Sequence, residues 1–127
     1  MSPNNQNTVI PIYTSKGDAE AFLVYPYLYN RNGEWIGWVN QKREVYSVLG
    51  YYVGYLTSDP RILCKRVTGS LKPRQVPPPA QDRINIPATI PLAPMMSEMN
   101  FSTMDVLLEE PERLHTLDIG DMKQDLD

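Results

Sequence analysis

One pattern recurs three times in this chain and limits what it can fold into. Tyr13, Tyr29 and Tyr46 are each followed four residues later by a glycine: Gly17, Gly33 and Gly50. Four residues further comes a small residue (Ala21, Gly37, Gly54), then an aromatic (Phe22, Trp38, Tyr55) and an aliphatic (Leu23, Val39, Leu56). The copies are offset by 16 and 17 residues. A fixed period of this kind signals one supersecondary unit repeated. The middle copy says which unit. Asn30-Arg31-Asn32-Gly33 is turn chemistry, because Asn bonds its own backbone and Gly accepts positive φ without a Cβ clash. Its flanks, Tyr27-Leu28-Tyr29 and Trp35 to Val39, are rich in strand formers, so the unit is a β-hairpin with a short Gly-containing loop. The second small residue falls mid-strand, where glycine usually marks a close approach. The aromatic that follows it predicts a ring from the neighbouring copy packed over that gap.

Around the three copies, Val9 to Tyr13 reads as a strand, with Pro11 placing it at an edge. Thr57-Ser58-Asp59-Pro60 is a turn. Arg61 to Val67 is one more strand, beginning where a fourth copy is due but lacking its Tyr and Gly. Pairing of that strand back onto Val9–Tyr13 would close a ring and remove both exposed edges. The expected fold class is all-β: a small domain of repeated hairpins over residues 9–67, a Pro-rich extended arm over 68–98, and a short helical docking segment over 99–117. Residues 1–8 and 118–127 are polar or acidic and are expected to be disordered.

Composition divides the chain at the same place. Eleven of the twelve aromatics lie between Tyr13 and Tyr55, whereas seven of the twelve prolines lie between Pro73 and Pro94. A folded unit of about 60 residues is marginal on its own and gains from a partner. The prolines preclude helix and ladder and favour a semi-rigid polyproline-type spacer. That spacer also carries Ile84, Ile86, Ile90, Leu92, Met95, Met96 and Met99, which a mere spacer does not need. Next, Ser102 to Glu110 predicts two helical turns with Ser102 as N-cap, and Pro111 opens another turn. Phe101, Met104, Leu107 and Leu108 fall near one face of that helix, which is too short to persist unless docked. Met95, Met96, Met99, Phe101, Met104, Leu107 and Leu108 are therefore the expected partner-binding residues, since Met adapts to irregular grooves and short apolar anchors suit groove recognition.

Charge splits likewise. Residues 1–75 carry a net +4 and residues 76–127 a net −7. The basic residues Lys42, Arg43, Arg61, Lys65 and Arg66 predict a basic surface on the head, suited to nucleic acid or an anionic membrane. Catalytic chemistry finds few candidates. His115 is the one histidine, and with Glu112 and Asp118 it does not reach a metal-ligand count. No Gly-Lys-Ser/Thr phosphate loop is present, and Glu20, Glu34 and Glu44 read as surface carboxylates. Cys64 is alone and reads as a filler of a small core gap. No apolar leader or membrane-length run occurs, which leads to a cytoplasmic expectation. The chain is expected to be non-enzymatic, with no cofactor and no metal.

Tyr13, Gly17, Phe22, Tyr29, Gly33, Gly37, Trp38, Tyr46, Gly50, Gly54 and Tyr55 together resemble the four-fold β-flower domains of bacteria, over about residues 12–67. That resemblance implies a β architecture and no catalytic residues. Separately, Phe101-Ser102-Thr103-Met104 is similar to the F-x-x-M docking motif of small phycobilisome core linkers. This second likeness implies a tail that crosses the face of a larger complex. The leading functional expectation is an interaction or linker protein whose C-terminal arm docks on a larger complex. The alternative is a ligand-binding module that uses exposed aromatics of the head for sugars or nucleic acid.

Overall fold

The computed structural model describes residues 8–66 and 72–118. Of the ends expected to be disordered (1–8 and 118–127), all but Thr8 and Asp118 lie outside the described residues, as does the start of the arm with Val67. Eight strands form one antiparallel sheet in chain order: β1 (Ile10–Tyr13), β2 (Ala19–Val24), β3 (Tyr27–Tyr29), β4 (Trp35–Val39), β5 (Glu44–Ser47), β6 (Tyr52–Leu56), β7 (Ile62–Lys65) and β8 (Thr103–Asp105). One helical turn, α1 (Val106–Glu109), and a 3-10 turn, Pro111–Arg113, follow.

The three repeats are three hairpins, and their turns share one design. The amides of Gly17, Gly33 and Gly50 donate to the carbonyls of Thr14, Asn30 and Ser47 at 2.9–3.0 Å. The glycines have φ of +93°, +81° and +91°, which side-chain-bearing residues rarely adopt. The opening residue braces the loop from within: Asn30 Oδ1 accepts from the amides of Asn32 and Glu34, and Ser47 Oγ from those of Leu49 and Tyr51. The turn between β4 and β5 uses the same device, with Asn40 at its head and Arg43 in the left-handed position at φ +65°.

The fourth hairpin exists, but its second strand comes from the far end of the chain. β7 pairs with β8 in the register Leu63–Asp105, Cys64–Met104, Lys65–Thr103. This corrects two expectations. Thr103–Asp105 is strand, not helix, because the edge of β7 offers its backbone a ladder that a two-turn helix cannot match; α1 therefore starts only at Val106, and its N-cap is Asp105. Ring closure also differs, since β7 pairs with β8 and, among the described residues, no ladder joins it to β1. Single bonds bring β1 round instead: the Tyr13 amide donates to the Pro60 carbonyl at 2.9 Å, and the Ser15 amide to Asp105 Oδ2 at 2.6 Å.

The main core lies inside the curl of the sheet: Ile12, Leu28, Ile36, Val39, Val45, Val53 and Ile62 from the repeats, with Met104, Val106, Leu107 and Leu114 from the tail. Cys64 is buried among them. The mid-strand glycines are close approaches, as expected, though the neighbour is backbone and not a ring. A Cβ on Gly37 would stand 2.5 Å from the Tyr46 carbonyl oxygen, and one on Gly54 2.4 Å from that of Leu63. The aromatics that follow pack elsewhere; Trp38 stacks on Tyr46 at 4.9 Å between ring centroids.

Candidate interaction surface

The arm makes neither helix nor ladder from Lys72 to Asn100, as its prolines dictate. It is nevertheless seated on the head. Half-buried positions recur along it at three-residue steps, Gln75, Pro78, Gln81 and Ile84, then Ile90, Ala93, Met96 and Met99, with Pro77 and Ile86 half-buried as well. Three residues per turn is the polyproline repeat, so one face of the arm lies inward.

That inward face meets the hairpin turns one after another. At the third hairpin, the Gln75 amide donates to the Gly50 carbonyl at 2.9 Å and Arg74 Nε to the Leu49 carbonyl at 2.7 Å. At the second, the Ile84 amide donates to the Gly33 carbonyl at 2.9 Å and Arg83 Nε to the Asn32 carbonyl at 2.9 Å. At the first, Tyr13 donates its hydroxyl to the Pro91 carbonyl at 2.7 Å. Turn glycines thus do two jobs: they relax the loop, and they leave the arm's backbone room to reach it. A Cβ on Gly33 would lie 2.0 Å from the Ile84 oxygen, and one on Gly50 1.9 Å from that of Gln75.

Beyond the turns a polar clasp ties arm, β1 and β8 together. Arg61 Nη2 donates to Asp59 Oδ2 and to the Ser97 carbonyl, both at 2.8 Å, while its Nη1 reaches Ser15 Oγ at 2.9 Å. Ser15 Oγ in turn donates to Met99 Sδ at 3.3 Å. Burial pushes the Asp59 carboxyl up, but hydrogen bonds from Arg61, Thr57 and the Ser97 amide outweigh it and hold it at about 2. Asp105 is buried in the same clasp, and its second oxygen has no hydrogen-bond partner among the described residues. Similarly, Glu44 is held below its ordinary value, first by Asn40 and then by Lys72 of the arm.

Three of the residues expected to form a partner-binding strip or a basic surface are instead part of the interior. Met104 and Leu107 are in the core, at 4% and 8% exposure, because they complete the fourth hairpin and its packing. Arg61, at 3%, is the centre of the clasp and not surface charge. Met96 and Met99 are half-buried on the arm's inward face. Met95 and Phe101 are free, each 97% exposed, and Leu108 is partly so. The F-x-x-M pair is thereby divided: Phe101 points out and Met104 in. Of the other basic residues, Lys42 and Lys65 are exposed, Arg43 donates to the Leu56 and Thr57 carbonyls, and Arg66 grips Glu109 and the Phe101 carbonyl. His115 is half-buried, with Nδ1 at 2.9 Å from the Thr116 carbonyl.

The exposed head aromatics lie apart. Among the head aromatics only Tyr25 and Tyr51 are exposed; they sit on different turns, and Arg74 lies over the Tyr51 ring at 5.4 Å. Among the described residues no group of three His, Cys, Asp or Glu is placed to hold a metal, and no helix is long and apolar enough to cross a membrane.

The sequence carries a signal of this seating: Arg74-Gln75 and Arg83-Ile84 are nine residues apart, which is three polyproline turns and so the same face. Comparison with known proteins agrees with the architecture. The family model described as 4-fold beta flower protein matches residues 10–106. The match runs from the first residue of β1 to one residue past β8, and so takes in the arm. No curated protein and no solved structure matches the chain.

Proposed function

The chain belongs to the 4-fold β-flower family, and from that premise we propose that it is a non-catalytic interaction protein that docks on a larger assembly through the outward face of its arm. The observation that carries this reading is Phe101. Its ring is 97% exposed, yet its backbone is held tightly. Asn100 Oδ1 accepts from the Ser102 amide and hydroxyl at 3.0 and 2.6 Å and from Thr103 Oγ1 at 3.1 Å, and Arg66 fixes the Phe101 carbonyl. An aromatic whose backbone is already fixed has less entropy to lose when a partner covers it, and such rings dominate binding energy. Leu92 and Met95 stand outward at three-residue steps along the same arm, and Leu108 lies just beyond. In this reading a linker of the phycobilisome-core kind keeps Phe101 as its anchor without Met104.

The test uses the intact chain, because the tail is part of the core. Affinity capture from the source organism is run with the natural chain and with Phe101→Ser plus Met95→Ser. Both positions are exposed, so the variant is expected to keep its thermal midpoint. A partner retained by the first and lost by the second supports the reading; identical captured sets reject it. Sugar or nucleic-acid binding, the alternative, would need Tyr25 and Tyr51 to act separately, and titration with single-stranded DNA or oligosaccharide checks it.

A further inference from the structure

The three turn glycines match in sequence and in backbone, yet the arm treats them unequally. At the second and third hairpins an arginine and the residue after it are seated on consecutive turn carbonyls. Nine residues on from Arg83-Ile84, the matching pair at the first hairpin is Leu92-Ala93. Leu92 has no guanidinium and is 95% exposed. The nearest neighbour to a Cβ on Gly17 is Ala93 Cβ at 3.9 Å, where the other two turns hold arm backbone. The Lys16 and Gly17 carbonyls have no hydrogen-bond partner among the described residues. A cleft of about 440 Å³ opens there between hairpin and arm, walled by Tyr13, Phe22, Ile86 and Pro91, with Asp18, Glu20 and Arg31 as its charged residues. Asp18 is exposed and makes no ion pair among the described residues, and Glu20 has only Arg31 at 3.9 Å, on the surface.

We propose that the first hairpin turn is a docking site for an extended, arginine-bearing segment of another protein. Its guanidinium takes the Lys16 carbonyl and the Asp18 carboxylate, and its next backbone amide donates to the Gly17 carbonyl. The chain's own arm identifies this occupant, since it reads the two equivalent turns with that dipeptide. Arg31 already faces Glu20, so the Asp18 carboxylate, unpaired among the described residues, is the one that adds charge complementarity for a guanidinium. This site does not involve Phe101 or Met95, which carry the proposed function, and stands or falls without them; Leu92 alone borders both.

The probe is a synthetic peptide copying residues 80–88, titrated into the full-length chain labelled with 15N-glycine. The Gly17 amide resonance is expected to shift to saturation. Replacing Arg83 of the peptide by Ala should weaken binding by about tenfold or more, the usual scale for a lost charge-assisted bond. A chain carrying Leu92→Arg supplies a third guanidinium from its own arm and should lose about as much peptide affinity, without a drop in thermal midpoint. Asp18→Asn should weaken binding in the same direction. The proposal is overturned if no saturable shift occurs, or if the shift is confined to Gly33, which means the peptide only replaces the chain's own Arg83 segment. Indifference of the Gly17 shift to the peptide's arginine also overturns it.

Discussion

Three hairpins of this protein close on themselves, and the fourth does not. In the first three, four or five residues separate the paired strands, and each loop glycine donates its amide back into its own loop. In the fourth, 37 residues separate Lys65 from Thr103. Closing a loop that long costs about 2 kcal/mol more in chain entropy than closing a five-residue one. The arm offsets that cost by lodging on the turns of the other hairpins at Gly50 and Gly33, so the long loop is not a free one. A symmetric sheet can thus be completed by a strand distant in sequence, provided the connection is itself bound along the way.

The largest test of that contrast is to end the chain after Arg74. This removes β8 and the core residues Met104, Val106, Leu107 and Leu114. Loss of one such side chain to Ala costs about 2–5 kcal/mol, and a whole domain holds only about 5–15. Thermal circular dichroism is expected to show no cooperative transition. A normal melt would mean that the three continuous hairpins suffice and that the fourth is an ornament.

Next comes the clasp. Asp59→Ala leaves the buried Arg61 guanidinium without its carboxylate and is expected to cost about 3 kcal/mol at neutral pH in urea unfolding. Because the folded protein holds the Asp59 carboxyl at about 2, below its unfolded value, its contribution is present above the ordinary carboxylate range. That contribution fades as pH falls through about 2. The Ala variant should lack that part of the acid limb.

A finer comparison sets Gly33→Ala against Gly17→Ala. Both suffer the left-handed backbone, worth about 1–2 kcal/mol. At Gly33 the new methyl also collides with the Ile84 carbonyl and dislodges the arm, adding about 1 kcal/mol or more for the bond lost. Equal losses by chemical denaturation would show that the arm contributes nothing at the turn. Smallest of all is Arg43→Gly. It relieves a φ of +65° but deletes two side-chain bonds to the Leu56 and Thr57 carbonyls, so the net change should stay within about 1 kcal/mol.

How much of this was legible depended on how local the cause was. Gly17, Gly33 and Gly50 announce turns because a positive φ is a property of one residue and its neighbours. Gly37 and Gly54 announced a close approach but not its partner, since a carbonyl and a ring leave the same gap in a sequence. Met104 and Leu107 misled for a physical reason: i and i+3 apolar residues suit a helix face, and three residues of strand carry no pattern strong enough to oppose it. The residues expected on the surface divide. Phe101 and Met95 are exposed, while Met104, Leu107 and Arg61 were drawn inside by contacts with β7 and Ser15 that no spacing reveals.

By itself the sequence determined the hairpins, their order, and an arm that prolines keep out of helix and ladder, because each follows from backbone preferences acting over a few residues. Tertiary structure alone decided that Thr103–Asp105 completes the sheet, that the arm reads two turns with arginine and leaves the first unread, and which apolar residues face water. Those outcomes depend on which surfaces meet after the chain has turned back on itself, and burial is a property of the meeting, not of the residue.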